Sequence, residues 1–338
     1  MRRLSILARG LACLIVAQAA AQPAAAIDGS DPGLWVNEWP DTAFGRSSID
    51  FGEIKDGGPP RDGIPPIDDP VFARVTEVDL PDIEPVIGVI IEGTPRAYPL
   101  RMLIWHEIVN DWIGDTPIAV TFCPLCNTSI VFSRRLGDSV LDFGTTGKLR
   151  NSDLVMYDRQ TESWWQQFTG EAIVGSMTGR TLTSLPSRLE SFGNFKRRAA
   201  RVDAGGGWVL VPNDEVMRAY GITPYVGYDG LDKPFLYDGP LPAEIAPLAR
   251  VVRVGNRAWS LDLVKKKGEI MVTDRCRIRW QEGQASALDR SAIAQGLDVG
   301  NVVVEEKTAD GSWVDAVYMV DFAFAFRAFH PDAAIVTE

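Results

Sequence analysis

Ala119-Val120-Thr121-Phe122-Cys123-Pro124-Leu125-Cys126-Asn127-Thr128-Ser129-Ile130-Val131-Phe132 is the stretch on which the reading of the fold turns. An apolar run enters it, a C-x-x-C bend interrupts it, and a second apolar run leaves it. Short runs rich in Val, Ile and Phe, bounded by Pro and Asn, read as strands. Two strands are therefore expected, over 118–122 and 129–132, with both thiols at the bend. A thioredoxin-like site instead places C-x-x-C at a helix N-terminus, where the dipole lowers a thiol pKa. The strand-like residues after Cys126 speak against that context.

Working outward, Pro85-Val86-Ile87-Gly88-Val89-Ile90-Ile91 predicts a buried strand, 92–95 a turn and 96–100 a returning strand. Residues 101–112 predict a helix, with Leu103, Ile104, Ile108 and Trp112 at helical spacing and Gly114 as the stop. A further short strand is expected at 140–143, followed by a polar block over 144–158. Trp164-Trp165-Gln166-Gln167 reads as strand core, with a substrate-stacking platform as the alternative. The expected fold class is α+β and β-rich, with a few short helices.

An internal echo suggests two related β-rich halves. Val89 to Leu100 reads strand, Gly turn, Arg-Ala-aromatic, leucine, and Val251 to Leu261 repeats that order. Each copy ends in an aromatic-basic run, Phe192-Gly193-Asn194-Phe195-Lys196-Arg197 and Phe322-Ala323-Phe324-Ala325-Phe326-Arg327. Such a period points to a duplicated unit. The first half is expected at about 63–212, carrying the C-x-x-C, and the second at about 213–338.

Residues 1–26 read as a signal peptide: Arg2 and Arg3, then an apolar core, then small residues at the cleavage site. The expected location is periplasmic or secreted. Residues 27–62 form a Pro/Gly-rich arm. The apolar core of the leader is shorter than the ~20 residues a spanning helix needs, and no transmembrane segment is expected in the mature chain. Lys+Arg 34 against Asp+Glu 45 gives a net charge of −11. That balance argues against nucleic acid as a partner, which needs clustered cations. It does not choose between a small-molecule and a protein partner.

Cys13 leaves with the leader, so Cys123, Cys126 and Cys276 remain. An odd number of thiols cannot all pair within one chain. Cys123 and Cys126 with His106, one of two histidines, offer soft and borderline ligands suited to copper or zinc. The expectation is that the two sulfurs and a His106 ring nitrogen converge, with Glu107 or Asp111 orienting the imidazole. Two other readings stay open: a Cys123–Cys126 disulfide in a structural or interaction module, and a dithiol oxidoreductase. His330 is expected to pack near the C-terminus. In the polar block, Asp153 is the candidate acid/base and Arg150 the candidate anion clamp.

Several ordered motifs also carry a resemblance. Arg96-Ala97-Tyr98-Pro99-Leu100, Trp105-His106-Glu107-Ile108-Val109-Asn110-Asp111, Thr121 to Cys126 and Gly147 to Arg159 stand in sequence. Ser163-Trp164-Trp165-Gln166-Gln167 and Gly170 to Gly175 follow. The series resembles a prokaryotic family of unknown function, number 3179, over about 63–331. The resemblance implies no established activity. It implies a His-Pro-Asp near the end of the first half, where this chain has Ala199-Ala200-Arg201.

Overall fold

The two runs flanking the cysteines pair with each other. Thr116–Cys123 and Thr128–Ser133 form an antiparallel hairpin in which Cys123 lies opposite Thr128. Nearly every side chain of the hairpin is buried, which explains why both strands read as continuous apolar runs rather than as alternation. The computed structural model describes residues 32–33, 35–213 and 218–338. The expected leader lies outside those residues.

The helix expected over 101–112 is shorter. It spans Leu100–His106, Glu107 closes it at φ 59°, and Ile108–Ile113 is a strand beside Thr116–Cys123. Ile108 and Trp112 are four residues apart, which fits one face of a helix and one face of a strand equally well. Pairing along the whole neighbouring strand decides between them.

The architecture is β-rich with few short helices, as the α+β class predicts. Among the described residues the strands form five sheets of four or five strands and one two-stranded ribbon. The five make a propeller-like arrangement, and this corrects the expected two halves. The physical reason is the core. Its largest cluster joins Ile87, Phe122 and Leu154 to Leu288, Ile293 and Phe322, so apolar side chains from both sides of residue 212 share one interior. The main chain is stitched likewise, with Phe322 N donating to Cys126 O at 2.9 Å. Two sheets do follow one plan. Arg188–Ser191, Pro85–Ile91, Thr94–Pro99 and Trp208–Val211 lie in that order, the last pair parallel. Met319–Phe322, Arg250–Val254, Arg257–Ser260 and Ile335–Val336 repeat it.

The arm lies on the domain. Trp35 and Trp39 pack against Trp164, tilted and edge-to-face with ring centroids 5.3 and 5.5 Å away, over the sheet that begins at Ile54–Asp56. Trp164 is therefore core rather than a stacking platform. Farther along the arm, Pro59 is pressed against Gly147, where φ is 71° and a Cβ would stand 1.8 Å from Pro59 O. Only glycine fits that approach. Trp164 is fully buried, and Trp164→Ala is expected to cost about 3–5 kcal/mol. Urea unfolding of the variant measures this, and a loss below ~1 kcal/mol would show that the arm does not share the cooperative core.

Candidate metal centre

Two tight turns meet at the cysteines. The first is the hairpin bend. Asn127 N donates to Pro124 O at 3.3 Å, and Asn127 takes φ 53°, a conformation Asn tolerates better than most residues. Its side-chain Nδ2 donates to Val320 O at 2.8 Å, which fixes the bend to a neighbouring strand. The second turn joins Phe143–Arg150 to Asp153–Asp158, with Arg150 opposite Asp153. Asn151 and Ser152, at φ 53° and 63°, make a two-residue left-handed turn of the kind that suits strand twist. That turn aims Ser152 O at both thiols, 3.8 Å from Cys123 Sγ and 3.5 Å from Cys126 Sγ. It also delivers Asp153 beside them. Sulfur atoms of Cys123 and Cys126 and a carboxylate oxygen of Asp153 lie within 4.8 Å of one another.

The centre is buried. Cys123 is 2% exposed, Cys126 and Asp153 0%. Asp153 Oδ2 accepts from Gln166 Nε2 at 2.7 Å and from Phe168 N at 2.9 Å. Asp153 Oδ1 is buried with no partner. Such an atom costs about 1–3 kcal/mol unless something satisfies it. Glu107 adds a further acid, held by the helix Leu100–His106 in a left-handed conformation that non-glycine residues adopt at a cost.

Electrostatically the centre is a cluster of acids with no cation paired to it among the described residues. Burial pushes the Asp153 carboxyl up to about 7, against the hydrogen bonds from Gln166 and Phe168 and the pull of the neighbouring Cys123 and Cys126 thiols, which lie near it without a hydrogen bond of good geometry. Burial, with the nearby Asp153, raises Glu107 to about 8. Burial also raises both thiols, and Asp153 adds to the effect on each. Among the described residues neither Asp153 nor Glu107 is paired with a lysine or arginine. Both cysteines are free thiols. In this environment they are poor nucleophiles, because reactive thiols sit in electropositive, partly exposed surroundings.

These shifts set a pH dependence for the metal-free protein. Asp153 and Glu107 both hold protons more tightly folded than unfolded. Their contribution is full below about pH 4 and is lost as pH rises through about 7 to 8. Chelator-treated protein is thus expected to resist urea better at pH 5 than at pH 8. Equal or greater resistance at pH 8 would contradict the burial of these carboxyls.

A family model described as "Protein of unknown function (DUF3179)" matches residues 61–333. The chain belongs to that family. The match covers the motifs at 96–175 and, with them, both turns of the centre. No curated protein and no solved structure matches the chain.

Not every residue expected at the site of this DUF3179 member arrives there. Cys123, Cys126 and Asp153 come together, and His106 does not join them. His106 Nδ1 donates to Pro65 O at 2.7 Å, because a carbonyl can only accept. Nε2 then accepts from Tyr220 OH at 2.8 Å. Burial lowers the His106 pKa, which favours this neutral form. The ring lines a separate cleft with Pro65, Asp68 and Met102. The structure does not bring His106 together with Cys123 and Cys126 as expected: the helix turns His106 to the Pro65 and Tyr220 side, and Asp153 stands beside the thiols instead. His106→Gln is accordingly expected to leave metal stoichiometry unchanged by elemental analysis. Loss of metal in that variant would restore histidine to the ligand set.

Arg150 also stands one step back. It pairs with Glu53 at 2.7 Å, and its Nη1 donates to Gln166 Oε1 at 3.4 Å. Gln166 in turn donates to Asp153 at 2.7 Å, so Arg150 is linked to the carboxylate through Gln166 rather than directly. Cys276 packs in a different core cluster with Val252 and Trp259. His330 lies beside Phe326 and Phe168, at centroid distances of 5.0 and 6.1 Å, outside the donor group. Sequence reasoning placed Asp153 as an acid/base and missed it as a donor. The Asn151-Ser152 pair between two strands was the available signal, since it makes Asp153 the first residue of the returning strand.

Proposed function

We propose that this protein binds one borderline divalent metal ion, zinc foremost, through Cys123 Sγ, Cys126 Sγ and Asp153 Oδ1. The observation that carries the reading is the buried, unpartnered Asp153 oxygen beside two free thiols. A bound cation would hold the thiolates and the carboxylate in their charged forms and fill the vacant position of that oxygen. Two sulfurs with a carboxylate oxygen suit zinc. Copper(I), the softer alternative, would need only the sulfurs. Three side-chain donors leave a coordination position for Ser152 O or for a water. Gln166 and Phe168 N keep the carboxylate oriented, the supporting role that outer partners play around metal ligands. The leader read at 1–26 supports an extracytoplasmic place of action.

Asp153→Asn tests donor and metal together. The amide keeps the shape and loses the charge. Zinc affinity, read by competition with a chromophoric chelator, is expected to fall about 10- to 100-fold or more, while copper(I) affinity changes little. Zinc affinity equal to that of the natural chain would remove Asp153 from the site and with it the preference for zinc.

A further inference from the structure

We propose that the cleft between the helix Phe192–Ala199 and the strand Cys276–Gln281 binds a small dianion bearing carboxylate or phosphate groups. The cleft is independent of the metal centre. It takes in the basic end of the aromatic-basic run at 192–197, which the metal reading leaves without a role.

The cleft measures about 610 Å³ and is lined by Arg188, Arg197, Arg198, Arg201 and Arg279 against Glu190, Glu269 and Glu305. A cation surplus of this kind is unusual on a chain whose net charge is −11. The buried carboxylates are already engaged. Glu190, 1% exposed, takes Arg198, with Nε 3.0 Å from its Oε1. Glu305 takes Arg277 and Arg279, each at 2.9 Å. Arg188 is held by Asp315, with Nε at 2.8 Å. Two guanidinium groups remain without a carboxylate among the described residues. Arg197 reaches only the side-chain oxygen of Asn194, and the Arg201 guanidinium has no acceptor. Arg197 sits in the last turn of the helix and Arg201 in the turn that follows it, and both line the cleft.

The helix dipole alone accounts for cations in the last turn, Lys196 to Arg198. It does not account for Arg279, which comes from the facing sheet. Guanidinium forks match carboxylate and phosphate oxygens two at a time, and lysine does not reproduce that geometry. The volume falls in the range of small-molecule sites, roughly 300–1,000 Å³. The geometry therefore fits one compact anion with two charges, held by Arg197 and Arg201 on one wall and facing the Glu305-paired Arg279 on the other.

Calorimetric titration of the mature chain, stripped of metal, with inorganic phosphate and separately with glutarate is the test. At least one dianion is expected to bind, more tightly than acetate and less tightly as sodium chloride is raised. The tighter of the two identifies the group recognised. The Arg197→Gln/Arg201→Gln double variant is expected to lose about tenfold or more in affinity, and Arg197→Lys/Arg201→Lys to recover part of it. Lys266→Gln, an exposed lysine outside the cleft, should bind as the natural chain does. Both arginines are exposed, so the double variant should keep its melting temperature. No heat with either dianion at millimolar concentration, or equal binding by the folded double variant, would overturn the proposal.

Discussion

Cys123→Ser and Cys126→Ser are each expected to remove stoichiometric zinc. The two sulfurs are the softest donors of the group, and serine offers a neutral hydroxyl in place of a thiolate. The remaining pair, one thiolate and one carboxylate, cannot close a site around the ion. Cys276→Ser should keep full metal, because that thiol packs in a separate cluster beside Val252 and Ile278. Affinity in the natural chain should fall as pH drops, since every donor must lose its proton before binding. The readouts are metal content after desalting and the pH dependence of chelator competition. A cysteine variant that retains its zinc would show that the sulfurs are spectators.

The second large effect lies behind the hairpin bend. Asp321 is fully buried, and its two oxygens serve two partners. Oδ1 accepts from Thr128 Oγ1 at 2.8 Å, and Oδ2 accepts from Arg253 Nε at 2.6 Å. Arg253 is 8% exposed, lies 4.2 Å over the Phe168 ring and already leaves Nη2 without a partner. Asp321→Ala would strand that cation in the core. The expected cost is about 3–5 kcal/mol of stability, the range for removing one partner of a buried pair. Thr128 follows directly on the bend, so metal affinity should weaken as well. Replacing both residues, as Arg253→Met/Asp321→Leu, should recover much of the stability, because no unpaired charge then remains. Urea unfolding of the single and double variants measures the coupling. A single variant within ~1 kcal/mol of the natural chain would mean that water reaches Arg253.

How much of this was legible in the sequence follows from the range of each interaction. The hairpin around Cys123 was local, and its apolar runs announced it. Pro85–Ile91 was legible for the same reason, a Gly turn between apolar runs, while its return strand starts two residues earlier than expected, at Thr94, and ends at Pro99. The helix at 101–112 was overdrawn because Ile108 and Trp112 satisfy two periods, and the choice was made by pairing with Thr116–Cys123. The centre was half legible. C-x-x-C put the sulfurs together, but Asp153 arrives from a turn 27 residues after Cys126 in the chain. His106 was nearer in sequence and drew the assignment, while one residue of helix rotation carried Glu107 toward the thiols in its place. The two-halves reading caught a real likeness between two sheets. It missed that Phe322 and Val320 clamp the C-x-x-C bend, which ties the end of the chain into the core of its beginning.

X-ray absorption at the zinc edge, on mature protein loaded with one equivalent of zinc, tests the central claim most directly. The account predicts a shell of two sulfurs at about 2.3 Å and oxygen at about 2.0–2.2 Å, with no imidazole signature. A shell without sulfur, a histidine pattern, or a chain that holds no zinc because Cys123 and Cys126 are joined as a disulfide would contradict it.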